Sequence, residues 1–220
     1  MKPTSLAIDV GGRPLVPSSL RACFDPALRA LFIADADFGK DAVFRARGIP
    51  VPTGSTAENL LRIDRLITEF EPATLVFLGG LLHARKSLST LTLDALHTWR
   101  ARHASRRVVL VEGNHDRHAG ELPLTLDVES VREPWHIGAW ALCHHPHAVD
   151  HAYVLAGHLY PVYRTAMRTD SVRVPRFRFG IDRGVLPAFG RFTGGARETG
   201  RVLGERVFLV VQQRVIELRS

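Results

Sequence analysis

Apolar and polar positions follow two rhythms along this chain, and the change falls near residue 111. Residues 5–10 read as a short strand, and Gly11-Gly12 as a turn into a second one. Leu31-Phe32-Ile33-Ala34 is an apolar run that closes on Asp35. Ser55-Thr56-Ala57-Glu58 has the spacing of a capping box. The helix it opens carries Leu60, Ile63, Ile67 and Phe70 on one face, and Pro72 ends it. Leu75 to Leu78 reads as a buried strand ending in Gly79-Gly80. A second helix is predicted from about Ser89 to His103, and a further strand over 107–111. Strand, helix, strand, helix, strand implies an α/β sheet. Beyond it, residues 138–143, 152–156, 172–179, 185–189 and 205–218 read as successive strands with short connections and no helix among them. The whole predicts two β-sheets with helices outside, in one domain over residues 1–220.

Composition narrows the class. The chain has 220 residues, 45% hydrophobic and 23% charged, the balance of a soluble globular protein. No apolar run approaches the roughly 20 residues of a membrane span, so no membrane partner is expected. Lys2 is not followed by an apolar stretch, which argues against a secretory signal. Two cysteines, Cys23 and Cys143, give no disulfide framework, and a reducing, cytoplasmic setting fits best. The net charge of +7 attracts polyanions whatever the fold. Arg164, Arg168, Arg173, Arg176, Arg178, Arg183 and Arg191 crowd one segment, which reads either as a nucleic-acid-facing surface or as a solvated one.

The chemistry gathers where apolar runs stop. Val108 to Val111 breaks into Gly113-Asn114-His115-Asp116. An amide oxygen suits a hard cation and an imidazole suits an anion, although this stretch alone could be a polar turn. Similar endings recur at Asp35-Ala36-Asp37, Gly79-Gly80, Cys143-His144-His145 and Gly157-His158-Leu159-Tyr160. Strand ends are where α/β folds hold ligands.

In order and local sequence these motifs resemble the calcineurin-like metallophosphoesterases, whose pattern is Asp-x-His, Gly-Asp, Gly-Asn-His-Asp/Glu, a lone His and Gly-His-x-His. Gly39-Lys40, Phe44-Arg45 and Gly48-Ile49-Pro50-Val51-Pro52 are similar to the ligase-associated DNA damage response phosphoesterases within that family, as are His83-Ala84-Arg85, Leu186-Pro187-Ala188-Phe189-Gly190 and Phe192-Thr193-Gly194-Gly195. The resemblance implies a four-layer αββα sandwich of two mixed β-sheets flanked by helices, with metal ions at the strand ends. It also implies phosphodiester hydrolysis of a nuclease type, a phosphate-containing substrate or nucleic acid, and partners in DNA repair such as a ligase and a helicase. Carried over position by position, Asp35, Asn114, His144 and His158 are candidate metal ligands, with Asp37 standing where the pattern has His. His115 becomes the candidate general acid or electrostatic stabiliser.

Three positions depart from the pattern: Asp37 for His, Gly80 for the bridging Asp, and Tyr160 for the last His. Two divalent cations roughly 3.5–4 Å apart need a shared anion between them, and Gly80 supplies none. The expectation is therefore one weakly held divalent ion (Mn, Zn or Fe) at Asn114, His144 and His158 rather than two, or none at all. Asp37 reads equally as a ligand or a solvated carboxylate. Tyr160 reads as a plug filling vacated space, Asp116 as an arginine partner and His83 as a loop residue; His118, His145, His147 and His151 read as surface or rim. Three functional classes stay open: a metallophosphoesterase with weakened or lost activity, a mononuclear metal hydrolase, and a non-catalytic nucleic-acid-binding or partner-docking module on the same scaffold.

Overall fold

The computed structural model describes residues 7–166, 171–193, 195 and 204–218. The first sheet has seven strands in sequence order: β1 (Ile8–Val10), β2 (Arg13–Pro17), β3 (Ala22–Asp25), β4 (Ala30–Ile33), β5 (Thr74–Leu78), β6 (Arg107–Val111) and β7 (Glu129–Val131). The first four run antiparallel, and β4 to β7 run parallel. Parallel neighbours need crossovers. Helices α1 (Lys40–Ala46) and α2 (Ser55–Phe70) lie between β4 and β5, α3 (Thr90–Arg102) between β5 and β6, and the short α4 (Asn114–Ala119) between β6 and β7.

The second sheet takes β8 (Trp135–Ile137), β9 (Trp140–Cys143), β10 (Tyr153–Ala156), β11 (Val162–Ala166), β12 (Ser171–Phe179), β13 (Arg183–Val185), β14 (Arg206–Val211) and β15 (Arg214–Glu217). Its order is β15-β14-β12-β13-β10-β9-β8, with β11 paired to β12. Here β9, β10 and β13 are parallel and the remaining pairs antiparallel. This is the expected pair of mixed sheets flanked by helices.

The two-residue period of β4 shows how the layers form. Leu31 and Ile33 point to one face, where they meet Leu60, Ile63, Leu66 and Ile67 of α2 and Leu96 and Trp99 of α3. Phe32 points to the other, into the space between the sheets, with Val76, Val109, Trp140, Leu155, Phe177 and Phe208. Trp140 is fully buried there, and its indole Nε1 donates to Asp25 Oδ2 of the opposite sheet at 2.6 Å. The outer face of the second sheet carries the small cluster Ala141, Cys143, Val154 and Ala156, with Val149 and Ala152 packed against it. Both cysteines are free and buried. Among the described residues no helix is long and apolar enough to cross a membrane.

Several elements differ from the sequence expectation: α1 had no counterpart in it, the strand expected over 205–218 is the pair β14 and β15, and the one expected over 185–189 is β13 at Arg183–Val185. Helix α2 starts one residue earlier than a Ser55 cap requires: Gly54 is its N-cap, in a left-handed conformation. The Thr56 hydroxyl accepts from Gly39 N at 2.9 Å, so it fastens a neighbouring turn instead of its own helix. The polar stretch after β6 is not a turn but the first turn of α4, too short and too polar to show a helical period.

Candidate metal centre

The carboxyl ends of β4, β5 and β6 in one sheet and of β9 and β10 in the other open onto the same space. The loops beyond β4 and β5 stay paired after the strands end. Asp35 N donates to Gly79 O at 3.1 Å, Asp37 N to Gly80 O at 2.7 Å and Phe38 N to Leu81 O at 2.8 Å. Asp35, Asp37, His158 and Tyr160 all have positive φ, between 47° and 68°. That region is uncommon for side-chain-bearing residues, and such strain gathers at functional sites.

His144 is fully buried at the end of β9. Its ring lies between Gly79 and Gly113: a Cβ at Gly79 would come within 2.1 Å of Nδ1, and one at Gly113 within 2.8 Å of the ring. The two glycines therefore make the slot the imidazole occupies. His144 Nδ1 donates to the Leu78 carbonyl at 3.0 Å, which leaves Nε2 as a bare lone pair. Asn114 Oδ1 faces that lone pair at 2.9 Å and His158 Nδ1 at 3.0 Å. An amide oxygen and an imidazole lone pair in contact repel unless a proton or a cation lies between them. Two donors each about 2.1 Å from one ion and at right angles would stand about 3.0 Å apart. The set thus fits a single divalent ion in both donor chemistry and spacing. Burial is the main reason the His144 pKa falls from 6.5 to about 4, so the ring is held neutral, as a ligand must be.

Asp35 lies alongside. Its Oδ2 accepts from His158 N at 2.9 Å, while Oδ1 is buried with no hydrogen-bond partner among the described residues. Burial, and then the nearby charge of Asp37, pushes its pKa well above the usual carboxylate value. A buried carboxylate oxygen with nothing bound to it is a natural fourth donor.

The other end of the centre is different. Asp37 Oδ2 accepts from Lys40 Nζ at 2.7 Å, and Oδ1 faces His83 Nδ1 at 3.4 Å. Burial alone would raise the Asp37 pKa, but the His83 bond and the Lys40 charge outweigh it and hold it below the ordinary value. Gly80 has no side chain to offer, and a Cβ there would stand 2.8 Å from Asp35 Oδ1. Burial, followed by the charges of Asp35, Asp37 and Asp116, raises the Tyr160 pKa, so its phenol stays protonated.

Among the described residues Asp116 pairs with backbone amides and not with an arginine. Its Oδ2 accepts from Gly80 N at 2.7 Å and Gly113 N at 3.0 Å, and its Oδ1 from Leu81 N at 2.9 Å and Leu82 N at 3.2 Å. One carboxylate thus ties the loop after β5 to the start of α4. Glu133 does similar work for β9, accepting from His144 N at 2.6 Å, His145 N at 2.9 Å and His145 Nδ1 at 2.9 Å. Glu133, Cys143 and His147 also lie close enough to share an ion. Burial pushes the Cys143 thiol up to about 12, however, and the oxygens of Glu133 are already engaged.

Asn114, His144 and His158 therefore converge with Asp35 beside them, while Asp37 turns to Lys40. His115 follows Asn114 in α4, and its side chain lies outside the described residues, as do all of Arg168 and Gly194. His145, expected at the rim, has its ring centroid 4.4 Å from that of His158. Lys40 was marked in the sequence only by the Gly39-Lys40 motif; its spacing of three residues from Asp37 was the available signal for the contact. The arginine crowd divides: Arg176 and Arg178 are buried, and Arg178 Nε pairs with Glu205 at 2.7 Å. Arg173 and Arg191 instead join Arg21, Tyr160 and Phe192 around a cavity of about 360 Å³. A larger cleft of about 1040 Å³ between α4 and β7 is lined by Glu112, Glu121, Glu129 and Glu133.

No protein-family model matches the chain, and no curated protein matches it. Among solved structures, the nuclease MPE of Pseudomonas putida aligns over 98% of this chain and 100% of its own, at 38% identity with a TM-score of 0.86. The E. coli phosphoesterase Yfce aligns over 86% of this chain and 97% of its own, at 14% identity with a TM-score of 0.38, too low to carry weight.

Proposed function

The chain belongs to the calcineurin-like metallophosphoesterases, a family that uses divalent metal, and from that premise we propose a phosphodiesterase of nuclease type, with weakened activity, working on one divalent ion. The observation that carries this is the approach of Asn114 Oδ1 at 2.9 Å and His158 Nδ1 at 3.0 Å to His144 Nε2, beside Asp35 Oδ1, which has no hydrogen-bond partner among the described residues. When bound, the ion supplies Lewis-acid polarisation of a phosphate oxygen. Asp35, Asn114, His144 and His158 would hold it. Leu78 fixes the His144 tautomer, and Gly79 and Gly113 leave room for the ring. His115, adjacent to Asn114, stabilises or protonates the leaving oxygen; support for that role is its place in the Gly-Asn-His-Asp motif.

Nucleic acid is the substrate class best supported. Arg21 and Arg191 repel each other across the cavity beside Tyr160: burial, then the Arg191 charge, lowers the Arg21 pKa. Arg191 already pairs with Glu58, so a phosphate in this cavity would be met chiefly by Arg21, and Phe192 offers a face for a base. The acidic lining of the larger cleft is wrong for a phosphate backbone. A role in DNA repair beside a ligase and a helicase, in the cytoplasm, belongs to the same proposal and rests on the sequence motifs.

A second reading, a nucleic-acid-binding or partner-docking module without turnover, is favoured by the engagement of Asp37 with Lys40 and by the missing carboxylate at Gly80. Purified protein with Mn²⁺ separates the two on an aryl phosphodiester and on single-stranded DNA. Hydrolysis abolished by Asn114→Ala supports the first. Salt-dependent DNA binding with no hydrolysis by the metal-loaded protein overturns it for the second.

A further inference from the structure

Three buried carboxylates share the centre, and each must be compensated. Asp35 feels both Asp37 and Asp116 as repulsive charges. Asp116 is compensated by four backbone amides. Asp37 is compensated by the Lys40 ammonium at 2.7 Å, with His83 on its other oxygen. Asp35 Oδ1 and Asp37 Oδ1 both lack a hydrogen-bond partner among the described residues, but Asp37 Oδ1 has His83 Nδ1 3.4 Å away and Lys40 on the same carboxylate, whereas Asp35 has no cation beside it among them.

The Lys40 contact is built into the fold. Lys40 is the first residue of α1, and its backbone N donates to Asp37 O at 3.2 Å, which closes the turn between them. The turn runs through Gly39, whose φ is +73° and where a Cβ would lie 2.2 Å from Ser87 O. The Thr56 hydroxyl holds Gly39 N. The Lys40 side chain is only 8% exposed. Drawing Asp37 away to bind an ion would strand a buried ammonium, and an ion arriving beside Lys40 would meet a like charge.

We propose that Lys40, clamped to Asp37, is a fixed positive charge standing in place of a second divalent ion, so that the centre holds one ion and one ammonium. Charge is then matched at both ends without a bridging carboxylate at Gly80. This rests on the one-ion phosphodiesterase reading and adds the reason for the count.

The test is metal stoichiometry, by elemental analysis after Mn²⁺ loading and desalting, with the Mn²⁺ electron paramagnetic resonance signal as a second readout. It uses the full chain, Lys40→Met, Lys40→Gln and Lys40→Arg, each checked for folding by circular dichroism. Gln keeps a donor towards Asp37 and removes the charge, so it serves if the Met variant does not fold. The natural chain and Lys40→Arg should hold one ion. The neutral variants should rise to two, with the broadened signal of coupled ions. One ion in every variant overturns the role of Lys40, as does loss of the single ion in the neutral variants. Two ions in the natural chain also overturn it, while leaving phosphodiesterase activity standing. No ion and no hydrolysis in the natural chain instead sinks the proposed function itself.

Discussion

The two ends of the centre treat charge in opposite ways. Around His144, the Nε2 lone pair has Asn114 Oδ1 2.9 Å away and His158 Nδ1 3.0 Å away, and an ion held by all three would have to come from outside. Around Asp37 the protein supplies the cation itself, 2.7 Å away on Lys40. Both ends hold carboxylates, imidazoles and deep burial, so composition does not separate them. What separates them is whether a group's charge or lone pair already has its match within the chain. A set of ligand-type residues is a binding site only when that match is missing.

Asp116 joins the two ends, so removing it breaks both. Asp116→Ala should cost roughly 4 kcal/mol in urea denaturation, since four charge-assisted bonds to backbone amides are lost at once. A cost below about 1 kcal/mol would mean that the loop after β5 is held by something else.

Acid attacks the His144 end selectively. In the fold its pKa is about 4, against 6.5 ordinarily, because burial opposes the charge. Between those values the unfolded chain binds more protons than the native one, so stability falls as pH drops through this window and is fully present above it. The metal-free protein should lose about 3 kcal/mol between pH 7 and pH 4 from this group. In His144→Phe most of that slope should vanish; an unchanged slope would place the titration elsewhere.

Ligand removal sharpens the contrast next. His144→Ala should weaken Mn²⁺ binding more than about 100-fold, beyond the loss of an outer hydrogen-bond partner. His83→Ala, at the end that carries its own cation, should leave calorimetric Mn²⁺ affinity nearly unchanged. Equal losses in the two variants would erase the distinction between the ends.

The smallest effect is at Gly80. Its φ is +60°, and an added Cβ meets Asp35 Oδ1 at 2.8 Å. Gly80→Asp should cost about 1–2 kcal/mol of stability through backbone strain and repulsion. It should not raise the number of bound ions while Lys40 keeps its charge. A second ion in this single variant would show that the missing carboxylate, and not the ammonium, sets the count.

Much of the scaffold was legible in the sequence because it follows periodicity. Phe32 and Leu31 alternate between two cores, and Leu60, Ile63 and Ile67 line one helical face, as their spacing requires. The strands β3, β7, β8 and β11 were not read, being short and without clear alternation in sequence. The start of α2 was misplaced because a hydroxyl can cap its own helix or fasten a neighbour, and Thr56 does the latter. The partner of Asp116 was misread for a similar reason: backbone amides brought in from the loop after β5 satisfy it, and amides leave no mark on residue identity.

The sequence by itself determined the alternating order of strands and helices, and it put Asp35, Asn114, His144 and His158 at strand ends, because hydrophobic period and abrupt polar breaks are local properties of the chain. Only the tertiary structure decided which of those residues meet, that Gly79 and Gly113 leave a slot for one imidazole, and that Lys40 folds back onto Asp37. The first two outcomes depend on distances of a few ångströms between segments far apart in the chain, and the third, although Lys40 and Asp37 are three residues apart, on which buried charge finds its counter-charge within the protein.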